Sequence, residues 1–235
     1  MVKQTDIVQK TLRIMSEAGI LDQVLLIGSW CAYFYKQYFS KIEYVPVIKT
    51  RDIDFLVNVR PRFPKSVDLE ELLRPVGFEI EFLGNGQMKL ESEELIVEFL
   101  APELGRSADK PLSLPTIKFN AQPLRHLGIL WRNPIMVMVS GLSIRLPHPV
   151  DYLLQKLVIA GRRKESDKTE KDRKSAFSVL DAVIENDELS ELSHGMKYLS
   201  KKELKTVAEE FRRAGRESIL LEMSASQLGK AGSKT

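Results

Sequence analysis

Thr50-Arg51-Asp52-Ile53-Asp54-Phe55-Leu56-Val57 reads as a β-strand with two acids on one face. It alternates polar and apolar at its start and is rich in β-formers. Side chains at i and i+2 point the same way, so the two carboxylates stand about 6.6 Å apart along the strand. That spacing suits two oxygen ligands approaching a divalent ion from one side. Two like charges so placed need a metal or cationic partners to stay ionised. The same short pattern also fits a solvated edge strand, salt-bridged to Arg51 or Lys49.

Before this strand, VLLIG (Val24 to Gly28) is a short buried strand by its apolar run, and SWCAYFYKQYF follows without a breaker as a helix. A glycine lets an anion approach the backbone, and a helix start offers free N–H groups at the positive end of a dipole. Gly28 and Ser29 therefore form a candidate phosphate cradle, while Ser29 fits an ordinary N-cap equally well. Neither G-x-x-x-x-G-K-[ST] nor G-x-G-x-x-G is present. Further back, Val8, Leu12, Met15 and Ala18 recur on one helical face, with Gly19 as its stop.

After the acidic strand, Val67 to Leu73 predicts a short helix, and GFEIEFL and QMKLE predict a hairpin around Gly84-Asn85-Gly86. Glu98 is the lone polar residue of Leu95-Ile96-Val97-Glu98-Phe99-Leu100. A strand this apolar is buried on both faces, where a carboxylate is costly unless paired or metal-bound. A Lys or Arg partner, a divalent ion, or a reach to solvent each satisfies it. A loop with Pro111 and Pro115 follows. Ile135 to Val139 and Leu142 to Leu146 then predict a second hairpin across Ser140-Gly141. Helix and strand alternate and then antiparallel hairpins accumulate, which gives an α+β fold rather than a doubly wound parallel sheet.

From Pro147 the character is helical. Pro149 opens a helix whose apolar face is Val150, Leu153, Leu154, Leu157 and Val158. Helical patterns continue over Lys174–Glu185, Lys201–Ala214 and Glu217–Ser224, and the tail from Gln227 is expected to fray. The expected division is an α+β domain over 1–146 and a helical domain over 147–235. On the helix after Pro149, Tyr152, Lys156, Ile159 and Arg163 share a stripe, and Lys156 there places an ammonium for a phosphate. Arg162 to Lys174 holds seven basic and four acidic residues and reads mostly as solvated surface, with Asp172 a candidate partner of Lys156.

Composition bounds the function. The 235 residues carry 35 Lys and Arg against 32 Asp and Glu, a balance of +3. At 43% hydrophobic and 29% charged the chain is an ordinary globular one, which excludes disorder, collagen and coiled coil for most of it. The single cysteine, Cys31, excludes a disulfide framework and a Cys-rich zinc site. His126, His148 and His194 share no metal-ligand spacing. The polar start MVKQTDIVQK is not expected to be a signal peptide, and no apolar stretch approaches the ~20 residues of a membrane span. The expected location is the cytoplasm.

L-L-I-G-S-W from Leu25, T-R-D-I-D-F-L-V from Thr50 and I-V-E-F-L from Ile96 together resemble the nucleotidyltransferase superfamily with the polymerase-beta-like core. Lys156 and Lys171-Asp172 are similar to positions of the minimal nucleotidyltransferases of the abortive-infection and toxin–antitoxin type. The likeness covers about residues 5 to 175. It implies a mixed sheet flanked by helices, followed by a helical C-terminal region. It implies transfer of a nucleoside monophosphate from an NTP to a hydroxyl of an RNA end, a protein or a small molecule. The basic cluster from Arg162 leans toward RNA. The implied metal ligands and catalytic acids are Asp52, Asp54 and Glu98, holding two Mg²⁺ ions. Gly28, Ser29 and Lys156 are the implied contacts to the phosphates. The chain departs from the pattern at Ser29, where a second glycine is frequent, at Glu98, where Asp is more frequent, and in a longer loop from Tyr38 to Thr50. A non-catalytic nucleotide-binding or interaction module on the same scaffold is the alternative.

Overall fold

Val8, Leu12 and Met15 are fully buried along helix α1 (Val2–Glu17), and Gly19 leaves it in the left-handed region at φ +72°. The apolar spacing thus forms the helix that the sequence predicts. The computed structural model describes residues 2–46, 50–58, 60–103 and 110–223. Lys49, part of the loop before Thr50, and the tail from Ser224 lie outside them. The chain divides into two compact units, Met1–Ser40 with Tyr44–His148, and Lys41–Glu43 with Pro149–Thr235.

In the first unit, β1 (Val24–Ile27) runs straight into α2 (Gly28–Tyr38), and β2 (Asp52–Val57) follows. Then come α3 (Leu69–Leu73), β3 (Glu79–Phe82), β4 (Met88–Glu91), β5 (Ile96–Pro102), β6 (Leu112–Leu114) and β7 (Phe119–Leu124). A final hairpin, β8 (Ile135–Val139) with β9 (Leu142–Leu146), stands as a separate two-stranded sheet. The main sheet has seven strands in the order β1-β2-β5-β4-β3, with β7 beside β5 and β6 beside β7. It is mixed: β2 and β5 are parallel, while β1–β2, β3–β4 and β4–β5 are antiparallel. The α+β expectation and both hairpins hold. The expected loop around Pro111 and Pro115 instead contains β6 and β7. One is three residues long and the other contains Pro123, so the short alternation of Leu-Ser-Leu and Phe-Asn-Ala-Gln is masked by the prolines around it.

The edge of β5 changes partner along its length. Val97 pairs with Leu90 of β4, whereas Leu100 to Pro102 pair with Gln122 to Leu124 of β7. Glu98 and Phe99 sit at this seam. Asn120 closes it, accepting from the Met88 N–H at 3.0 Å and donating to the Gly86 carbonyl at 2.9 Å.

Register decides what each face carries. Leu25 pairs with Leu56, Leu56 with Leu100, and Asp54 with both Ile27 and Glu98. Those side chains share one face. Its apolar end, Leu25, Ile27, Leu56 and Leu100, is covered by Leu127, Leu130 and Trp131. The opposite face holds Ile53, Phe55, Val97 and Phe99, all buried, with Phe99 packed between Phe55, tilted at 5.6 Å, and Phe119, edge-on at 5.5 Å. One sheet face is thus wholly apolar. The other changes from leucine to carboxylate at the row of Asp54 and Glu98.

The second unit is helical: α4 (Pro149–Ala160), α5 (Asp167–Glu185), α6 (Leu189–Met196) and α7 (Lys201–Arg213), with residues 217–223 helical again. The five predicted apolar residues of α4 are buried. α5 begins at Asp167 rather than Lys174, because Ser166 caps it by accepting from the Thr169 N–H. The reading of Arg162 to Lys174 as mostly solvated surface holds for 162–168, 170 and 174, which are exposed; three residues depart from it. Thr169, Asp172 and Arg173 are buried, and Arg173 binds Glu210 at 2.5 Å and Glu165 at 2.8 Å. α6, too short to show a periodic face, was not expected. Among the described residues no helix is long and apolar enough to cross a membrane.

Candidate active site

The site grows out of the β1–α2 junction. Ile27 occupies the N-cap position of α2, and no side chain caps the helix. Ser29 is therefore not the cap that its identity allowed; it stands in the first helical turn. The orphan N–H groups of that turn keep their affinity for an anion. Gly28 has φ +69°, and a Cβ there would collide with the Asp54 carboxylate at Oδ2. Glycine is needed for two reasons, backbone conformation and the space that Asp54 fills.

Asp54 is thereby fixed between the start of α2 and Glu98, its partner in register on β5. Asp52 lies two residues back on the same strand face, paired in register with Ile96. Thr50 donates its hydroxyl to Asp52 Oδ2 at 3.1 Å and accepts from the Asp52 N–H at the same distance, orienting that carboxylate. All three acids are half-buried. Arg51 points away from the pair, to Glu91 at 3.1 Å and to the Ser92 carbonyl at 2.7 Å.

Glu98 shares the row but is already engaged. Lys89 Nζ lies 2.6 Å from Glu98 Oε1, and Gln87 Nε2 donates to the same oxygen at 3.3 Å. Of the ways to satisfy this acid, the structure contains the lysine partner. Among the described residues no three His, Cys, Asp or Glu side chains gather as a metal-binding group. Asp52 and Asp54 share one strand face, with Glu98 next to Asp54 in register and held by Lys89. The Lys89 ammonium is pulled down by burial, but the Glu98 hydrogen bond and the charges of Glu98, Asp52 and Glu81 outweigh this and leave its pKa raised.

Lys89, Gln87 and Thr50 were not singled out from sequence. For Lys89 a signal existed: the turn at Gly84 to Gly86 fixes the hairpin register, and that register sets Lys89 opposite Glu81. Lys156 belongs to the second unit. There its ammonium donates to Asp172 Oδ1 at 2.6 Å, and Arg163 donates to Asp172 Oδ2 at 2.9 Å. The pairing of Lys156 with Asp172 is formed between α4 and α5, with Asp172 buried and Lys156 partly so.

A glycine-opened helix thus stands beside two acids on a mixed sheet. A protein-family model described as Nucleotidyltransferase matches residues 6–197. The chain belongs to this nucleotidyltransferase family. No curated protein matches it in sequence. Among solved structures, this nucleotidyltransferase is similar to an antigenic nucleotidyltransferase-like protein from Paracoccidioides brasiliensis. That likeness has 14% identity and a TM-score of 0.50, covering 91% of this chain and 92% of the other. It is also similar to ANT(2'')-Ia in complex with adenylyl-2''-tobramycin, at 12% identity and a TM-score of 0.46, covering 84% of this chain and 98% of that one.

Proposed function

We propose that this nucleotidyltransferase moves a nucleoside monophosphate from an NTP to a hydroxyl acceptor, with Mg²⁺ at Asp52 and Asp54. The observation that supports it most is the contact of Asp54 with Gly28. One carboxylate lies directly on the turn whose free amides suit a phosphate. Bound there, Mg²⁺ would supply charge neutralisation at the phosphate oxygens of an in-line displacement.

The remaining work falls to the chain's own groups. The Gly28 backbone and the first-turn amides of α2 hold the outgoing phosphates, and the Ser29 hydroxyl adds a donor. Thr50 holds the Asp52 carboxylate in orientation. Glu98, beside Asp54 in register, would accept the acceptor's hydroxyl proton at a carboxylate oxygen and, in this reading, complete the acidic set. The resemblance adds a phosphate contact from Lys156, whose ammonium in its own unit stands on Asp172.

The test is incubation of the purified chain with each labelled NTP, Mg²⁺ and a cell extract, measuring pyrophosphate release and the labelled product. Asp52→Ala and Asp54→Ala should each abolish transfer while circular dichroism stays unchanged. Wild-type turnover in either variant would overturn the assignment. NTP binding without pyrophosphate release would leave a nucleotide-binding module instead. For the acceptor, an RNA end is favoured by the basic residues around Arg162 to Lys174, and it predicts binding that weakens steeply with salt. Labelled protein or small molecule in place of RNA would exclude it. A toxin–antitoxin role belongs to the same reading, and arrest of cell growth on expression, lost with Asp52→Ala, is its test.

A further inference from the structure

Four ionisable side chains form one transverse row on the sheet. Asp54 of β2 pairs with Glu98 of β5. The β4–β5 register, Leu90 with Val97 and Glu91 with Ile96, continues to Lys89 beside Glu98. Lys89 pairs in turn with Glu81 of β3. A single ammonium therefore stands between two acids of the row, with Asp52 on the same face.

We infer that Lys89 is a built-in counter-ion of this row, and that its ammonium competes with a divalent cation for Glu98. The inference rests on the proposed reading of Asp52 and Asp54 as the cation's ligands. Three observations carry it. The Lys89–Glu98 contact is 2.6 Å, and its side chains are only 23% and 16% exposed, so it is not a rim pair loosened by water. Gln87 donates to the same Glu98 oxygen, so Oε1 is already occupied by donors and unavailable to a metal while they stay. Lys89 also stands in the field of three acids, Glu98, Asp52 and Glu81, each of which favours its charged form. Hard cations bind carboxylate oxygens at roughly 2.0–2.6 Å. A metal at that distance from Oε1 would meet the ammonium at close range, where like charges repel strongly. Recruiting Glu98 to the metal thus requires Lys89 to leave it.

The experiment is a Mn²⁺ titration of the full, nucleotide-free chain by calorimetry and electron paramagnetic resonance, with melting in chelator and in Mn²⁺. Lys89→Met keeps the side chain's apolar stem and removes the charge. It should bind Mn²⁺ about tenfold more tightly than wild type, the scale of one like charge removed from a partly buried site. It should also melt lower than wild type in chelator and gain more from Mn²⁺, since the metal then supplies the missing positive charge. Adding Glu98→Gln to Lys89→Met should remove the tightening, and Lys89→Arg should keep wild-type affinity. If Lys89→Met binds Mn²⁺ no more tightly while Asp52→Asn loses binding, the inference falls and the proposed metal site stands. If neither wild type nor Lys89→Met binds Mn²⁺, both fall. Should Lys89→Met not fold, Lys89→Gln replaces it with the same two outcomes.

Discussion

Gly28 shows how one missing methyl group sets a site. Any other residue at φ +69° is strained, and its Cβ would strike Asp54. Gly28→Ala should therefore lose stability by about 1–3 kcal/mol, read by urea unfolding. Transfer should fall further than stability explains, because Asp54 must move off the β1–α2 turn proposed to hold phosphate. Asp68 supplies a pH-dependent counterpart away from the site. Its carboxylate accepts from the Glu70 and Glu71 N–H groups at the start of α3, and Lys118 donates to it at 3.1 Å. The Glu71 backbone hydrogen bond, followed by Lys118, holds its pKa below the ordinary 3.8. A depressed folded pKa means stability that is present above the unfolded value and is lost as pH falls through the folded one. Asp68→Ala should cost about 1 kcal/mol near neutrality, and the gap from wild type should close in strong acid; denaturation at a series of pH values measures it. At this scale the acids and Gly28 were legible because charge inside an apolar strand, or glycine between strand and helix, stands out locally. Lys89 was legible only as far as its hairpin partner Glu81; the partner that makes it matter, Glu98, is on a third strand that the fold brings alongside.

At the scale of elements, the seam in β5 is held by a side chain. Asn120 joins β7 to the β3–β4 turn through Met88 N–H and the Gly86 carbonyl. Asn120→Ala should destabilise the fold by about 1–2 kcal/mol, mostly by leaving the Met88 N–H unsatisfied. Amide exchange over residues 86–91 should quicken more than in β2. The capping box of α7, where Ser200 and Glu203 exchange hydrogen bonds, makes Ser200→Ala a milder case of about 1 kcal/mol, seen as a lower melting temperature. Elements with a strong period or a glycine turn, α1, α4 and both hairpins, were readable. β6 and β7 were hidden because their alternation is short and lies among Pro111, Pro115 and Pro123, which read as breakers.

For the molecule as a whole, the two units rest on different kinds of interior. The first is a sheet packed through aromatic and aliphatic side chains. The second also buries a charge network: Arg173 is 10% and Glu210 3% exposed in their side chains. Removing one partner leaves a bare buried charge, so Arg173→Met should cost about 3–5 kcal/mol, while replacing both residues with apolar ones should recover most of it. Differential calorimetry of the single and double variants tests this. The change from α+β to helix after Pro147 was plain from the absence of strand patterns. The burial of Asp172 and Arg173 was not, because a charged run looks the same on a surface as it does folded against Glu165 and Glu210.

The changeover of β5 between its neighbours also fixes an order of unzipping. Glu98's strand is joined to β2 through five register pairs but to β4 through two. Warming should peel the hairpin away while the aspartate-bearing core is still zipped. Just below the melting point, the acids would remain in place and their resident lysine would already have left.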